Sequence, residues 1–154
     1  MSRELYFLRS SEQKIVKDMT ELAYPSHMPD LEKFYDFFGL TSKDLGLYAL
    51  VDNEIAGAVW SRELDDSTTP TISFAILPKF KKQGIGIFMM EQFLQEAGAV
   101  YNEIKIDISL KPKAIKFYEK FGFIESPKNI MRKKLEKKEV FRPTDGYDST
   151  RWMD

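Results

Sequence analysis

Apolar and polar positions alternate with period two in several short runs and recur at helical spacing in four others. Leu5 to Arg9 predicts a first strand, and the following Ser10-Ser-Glu-Gln places Glu or Gln about three positions after a serine, as in a capping box. Ile15, Val16, Met19, Leu22 and Ala23 give a first helix one apolar face, which Tyr24-Pro25-Ser-His-Met-Pro29 breaks. Asp30 is expected to cap a second helix through Leu31, Phe34, Tyr35, Phe37 and Phe38, ended by Gly39. That is too many aromatics for one narrow buried stripe, so some are expected to face a ligand. Leu45–Val51 and Ile55–Leu64 flank Asp52-Asn53-Glu54 as a hairpin, and a polar loop leads to Pro70.

From Ile72 the chain runs through an apolar strand, breaks at Pro78, turns basic and passes two glycines. Ile87, Met90, Phe93, Leu94 and Ala97 then recur at helical spacing, with Gly98 as the stop. Ile104 to Leu110 is a period-two strand with isoleucines on one face and Lys105, Asp107 and Ser109 on the other. Pro112 opens a further helix through Phe117, Tyr118 and Phe121, closed by Gly122 in a left-handed position. Phe123-Ile-Glu and Ile130 to Leu135 form a last antiparallel pair around Ser126-Pro-Lys-Asn. Residues 136–154 are charged and turn-rich, so the expected organisation is one domain over 1–135 and a C-terminal extension over 136–154.

With 154 residues, 43% hydrophobic content and net charge -1, the composition is that of an ordinary globular domain. Such a balance calls for no nucleic acid and no membrane, so any electrostatic function is local. The absence of cysteine excludes a thiolate nucleophile and thiolate-bound zinc, a single histidine excludes His-rich metal sites, and no metal is expected. No apolar signal-peptide core opens the chain, and a cytoplasmic location is expected.

The basic turn concentrates the chemistry. Between Ser67 and Met90 there is no acidic residue, while Lys79, Lys81 and Lys82 precede Gly84 and Gly86 at a helix start. Backbone N–H groups, the positive end of a helix and ammonium groups converge there, which outlines a phosphate site; the plainer reading is a solvated basic edge. A P-loop pattern is absent. A dinucleotide fingerprint would want a third glycine at Met89, although Glu103 stands at a suitable distance for its acidic residue.

Lys81-Lys82-Gln83-Gly84-Ile85-Gly86 resembles the coenzyme A signature of the GNAT superfamily of N-acetyltransferases, with Lys81 in place of the usual arginine or glutamine. Lys111-Pro-Lys-Ala114 to Tyr118-Glu-Lys-Phe-Gly122-Phe123 resembles that family's second element, with Lys111 where an asparagine is common, and Met131 to Leu135 resembles its closing strand. The resemblance covers roughly residues 3 to 135. It implies an α/β (α+β) GNAT fold, a mixed, mostly antiparallel sheet of about seven strands with about four helices on both faces. It implies acetyl-CoA as co-substrate, held by Ile76, Leu77, Lys81, Lys82, Gln83, Gly84, Ile85, Gly86 and Lys111 between the fourth and fifth strands. The acceptor implied is a small-molecule or peptide primary amine attacking directly, and a homodimer is compatible with the family.

An alkylammonium with a pKa of about 10.4 must lose a proton before attack, and about 3.4 units of mismatch at neutral pH correspond to roughly 4.6 kcal/mol. The leaving thiolate must then be stabilised, and Tyr118 matches the family's general-acid tyrosine; its structural alternative is packing with Phe121. The fourth strand offers only Thr71 and Ser73 where relatives often carry a carboxylate. Asp107, Glu63 and His27 remain as proton acceptors or relays, each with the plainer reading of a solvated residue. The alternative function is a non-catalytic acyl-CoA-binding sensor or scaffold on the same fold.

Overall fold

A computed structural model describes residues 3–40, 44–64 and 69–136, and the expected C-terminal extension lies outside them from residue 137. Seven strands form one sheet: β1 (Arg3–Phe7), β2 (Leu45–Val51), β3 (Glu54–Arg62), β4 (Thr71–Ile76), β5 (Glu103–Asp107), β6 (Ile124–Glu125) and β7 (Ile130–Lys134). The helices are α1 (Gln13–Ala23), α2 (Ile85–Ala97) and α3 (Ile115–Glu119). Strand order is β1-β2-β3-β4-β5-β7-β6, and every neighbouring pair is antiparallel except β4–β5. β2 and β3 join through Asp52 and Asn53, both at positive φ (50° and 68°), the conformation of a tight two-residue hairpin turn.

Period-two alternation splits the sheet's side chains between two cores. Leu47, Ala49, Val59, Ile72 and Ile104 meet Met89, Met90 and Phe93 of α2 and Tyr118 of α3 on one face. Ala58, Trp60 and Ala75 meet Val16 and Met19 of α1 and Phe38 on the other. Gly57 stands where β3 must lie flat on β4, since an added Cβ would sit 2.4 Å from the Ala75 carbonyl oxygen.

Three expectations need correction. The second helix is a 3-10 turn, Leu31–Phe34, because Asp30 and Phe37 adopt left-handed backbone (φ 59° and 57°) that an α-helix cannot contain, so among the described residues three α-helices stand where four were expected. Its aromatics scatter accordingly: Phe34 and Phe38 are buried, Tyr35 is half-buried and Phe37 is exposed. Gly98 ends α2 as expected, at φ -62°, and its bare Cα admits the Glu136 carbonyl oxygen, which a Cβ would meet at 2.8 Å. Ile87 is exposed, and Ile85 and Met89 belong to the buried face instead. The capping contact also falls one residue early, with Glu12 Oε1 accepting from the Arg9 amide at 3.3 Å.

Candidate active site

β4 and β5 touch at a single register pair, Thr71 with Lys105, and the Lys105 amide donates to the Pro70 carbonyl at 3.0 Å. Beyond that pair no further register partner joins the two strands, and a cavity of about 50 Å³ lies between Phe74 on one side and Ile106 to Ile108 on the other. Residues of an antiparallel ladder direct their polar groups alternately to either neighbour. The Leu77 amide donates to the Ala56 carbonyl of the β3 side at 2.8 Å, so the Phe74 and Ile76 amides point the other way, toward the opening. This separates two expected contact residues. Ile76 offers its amide to the opening, while that of Leu77 is engaged elsewhere.

α2 begins beside this opening. Lys82 and Gly84 both take positive φ (65° and 78°), which turns the chain sharply into the helix. At the start of α2 the Phe88 amide donates to the Gly84 carbonyl at 3.1 Å, leaving the Ile85, Gly86 and Ile87 amides at the positive helix end. A Cβ on Gly86 would lie 3.2 Å from Ile76, 3.3 Å from Phe74 and 3.5 Å from Phe117, so this glycine admits the helix end against β4 and α3. A backbone cradle this close to bare amides fits a diphosphate. Arg3, which the sequence does not point to, donates its guanidinium to the Gln83 carbonyl and braces the turn from β1.

The expected residues divide. Lys81 and Lys111 come together: partial burial and the Lys81 charge push the Lys111 ammonium below its ordinary value. Lys82 is exposed, Gln83 is half-buried and donates to the Lys79 carbonyl at 3.1 Å, and the Ile85 side chain is in the core, leaving only its amide for a ligand. Lys79 turns away from the anion turn and pairs with Glu54.

Tyr118 and Tyr24 line the small cavity from opposite faces of the sheet. Tyr118 is 4% exposed and makes edge contacts with Phe117 and Phe123; burial, then the nearby Tyr24, push its phenol upward, so it holds its proton across physiological pH. The Tyr24 hydroxyl shares a 2.7 Å hydrogen bond with Ser73 Oγ, and burial raises its pKa to about 12. Its ring stacks on Phe34 with centroids 4.2 Å apart. Tyr24 reads in the sequence only as the end of a helix; its position one residue before a proline, at the mouth of a loop, is the signal available there.

Tyr24 also borders a second, larger groove of about 520 Å³. Its floor is the outward face of β5 and β7, with Lys105, Asp107, Ile130 and Arg132, and its wall is the 25–34 segment. His27 lines this groove, and Asp107 lines both cavities, its Oδ1 accepting the Ser109 amide at 2.8 Å. Glu63 lines neither and lies near Tyr101 instead. The wall is held from behind by Arg62, which donates to the Lys33 and Asp36 carbonyls (3.1 and 2.6 Å) and pairs with buried Asp44 at 3.1 Å. The Trp60 indole adds a bond to the Phe34 carbonyl at 3.1 Å.

The sequence model of the acetyltransferase (GNAT) family matches residues 11–123, a span that contains the glycine turn, the β4–β5 opening and Tyr118. The chain belongs to this family. Among solved structures, the GNAT fold is shared with a phosphinothricin acetyltransferase from Sinorhizobium meliloti in complex with AcCoA, at 14% identity and TM-score 0.69, over 96% of either chain. It is shared with the ribosomal-protein-S18-alanine N-acetyltransferase of Escherichia coli at 15% identity and TM-score 0.67, over 96% of this chain and 100% of that one. A spermidine N-acetyltransferase chimera from Vibrio cholerae aligns at 16% identity and TM-score 0.64, over 89% of this chain and 96% of that one. No curated protein matches by sequence. Among the described residues no helix is long and apolar enough to cross a membrane, and no group of three or more His, Asp or Glu could hold a metal ion.

Proposed function

We propose that this GNAT protein transfers the acetyl group of acetyl-CoA to a primary amine by direct attack. The observation that carries the reading is the opening between β4 and β5, with Tyr118 in its wall and the bare helix end of α2 beside it. The amides at Ile85 and Gly86, with Lys81 and Lys111, would bind the coenzyme's phosphates. The Ile76 amide would donate to the thioester carbonyl and stabilise the charge that develops there.

In the step itself, the amine nitrogen attacks the thioester carbon, an N–C bond forms and the C–S bond breaks. Tyr118 donates to the departing thiolate, which needs a group still protonated at neutral pH. The amine's proton would leave on the other side, toward Asp107 and the Tyr24–Ser73 pair, which line or border the small cavity there. Asp107 thereby takes the part for which β4 supplies no carboxylate.

Tyr118→Phe tests the assignment: kcat should fall about 10²- to 10⁴-fold with acetyl-CoA affinity little changed. Wild-type turnover in that variant would remove Tyr118 from the mechanism. Thiol release over a panel of amines separates a transferase from an acyl-CoA-binding module, and calorimetry that detects no acetyl-CoA binding at about millimolar concentration, Kd beyond the range of a working co-substrate, would reject both.

A further inference from the structure

The lining of the larger groove is unequal in charge. Among the described residues it carries Lys33, Lys105 and Arg132, against one carboxylate, Asp107. Lys33 Nζ lies 5.2 Å over the Phe34 ring, which itself stacks on Tyr24, so one cation sits at the end of an aromatic shelf leading to the small cavity. Arg132 is partly offset by Glu103 at 3.4 Å, and its Nε donates to the Ser126 carbonyl at 2.7 Å, which fixes its guanidinium at the groove floor. Lys105 and Arg132 are register partners across β5 and β7, and Asp107 follows Lys105 on the same face. Two residues along a strand span about 6.7 Å, so positive and negative recognition points lie one small zwitterion apart.

We infer that the acceptor is an amino-acid-type molecule: a primary amine that carries a carboxylate close by and an apolar side chain. The inference rests on the transferase reading above and specifies its acceptor. The amine would lie at the Asp107 and Tyr24 end, next to the β4–β5 opening. The carboxylate would meet Lys105, Arg132 and Lys33, and the side chain would cover Met28 and Ile130. A polyamine is disfavoured on the same ground, since its distal ammonium groups would meet Lys33 and Lys105, with Arg132 already engaged by Glu103.

The test measures kcat/KM by thiol release for L-phenylalanine and L-leucine, for their carboxamides, and for spermidine, with acetyl-CoA as donor. Peptide-like α-amino groups titrate near pH 8, so the carboxamides supply more free amine at neutral pH than the acids do, and reactivity alone favours them. The expected result is nevertheless a preference for the acids of about tenfold or more, from charge-assisted contacts to the carboxylate. Lys33 is exposed, so Lys33→Glu is not a folding risk; it should reduce the acid-to-amide ratio several-fold, chiefly through the KM of the acids. Carboxamides or spermidine turned over as well as the acids, or an unchanged ratio in Lys33→Glu, would overturn the inference and leave the transferase standing. No thiol release with any amine would overturn the transferase reading and the inference with it.

Discussion

Under the transferase reading, the two sides of the reaction would be built from different material. On the donor side, recognition would rest on backbone: the Ile76 amide, the amides at the start of α2, and glycines that keep side chains out of the way. On the acceptor side it would rest on side chains, drawn from the α1 end, the 25–34 segment, β5 and β7. Backbone sites are specified by the residues that must be small, so they leave a compact sequence signature. Side-chain sites are specified by spatial convergence of distant segments and leave none. A fold can therefore hold one donor constant while the acceptor varies, which agrees with structural relatives named for phosphinothricin, a ribosomal-protein alanine and spermidine.

The contrast can be broken from either side. Arg62→Met should have the largest effect on the acceptor side, because it leaves Asp44, whose side chain is 4% exposed, without its ion-pair partner and releases the Lys33 and Asp36 carbonyls. A loss of about 3–5 kcal/mol is expected from removing one member of a buried pair, read as a lower urea midpoint, together with a raised acceptor KM. Acetyl-CoA affinity falling in parallel would contradict the separation of the two sides. Gly86→Val attacks the donor side: its side chain would press on Ile76, Phe74 and Phe117, costing about 1–3 kcal/mol and weakening acetyl-CoA binding measured by calorimetry. Unaltered affinity would show that the close approach of helix to strand is not what forms the phosphate cradle.

Alkali provides a third and milder perturbation. Burial raises Tyr24 and Tyr101 to about 12, whereas an unfolded chain releases those protons near pH 10. Between those values the folded protein holds more protons than the unfolded one, so stability is fully retained below pH 10 and declines as pH rises toward 12. Urea midpoints across that interval should fall, and Tyr24→Phe should flatten the decline. An unaltered slope in the variant would show that Tyr24 ionises as freely in the folded state as in the unfolded chain.

How much of this was legible in the sequence follows the same division. Strand order, the three helices other than the second, the hairpin turn at Asp52-Asn53, the left-handed Gly122 and the glycine turn are local properties, and the fold bears them out. The second helix failed because its aromatics satisfy different partners: Phe34 stacks on Tyr24, Phe38 joins Trp60 in the core, and Phe37 remains outside. No helical period describes that arrangement. Lys79 counted toward an anion site because it is near Gly84 in sequence, yet its ammonium meets Glu54 from the β2–β3 hairpin. The roles of Tyr24 and Arg62 leave no local sequence signal, because they depend on Ser73, Phe34 and Asp44, each distant in the chain.

Tyr24 has one more consequence. Its ring and hydroxyl border both the small cavity beside Tyr118 and the large groove where an acceptor would lie. It is thus a partition between two compartments of very different capacity, about 50 and about 520 Å³. Under the transferase reading, the smaller compartment is where an acyl group would end, and a chain longer than acetyl could extend only by displacing this tyrosine from Ser73 and Phe34. The length of the group the protein can transfer is then governed by a residue that belongs, by its position, to the receiving side.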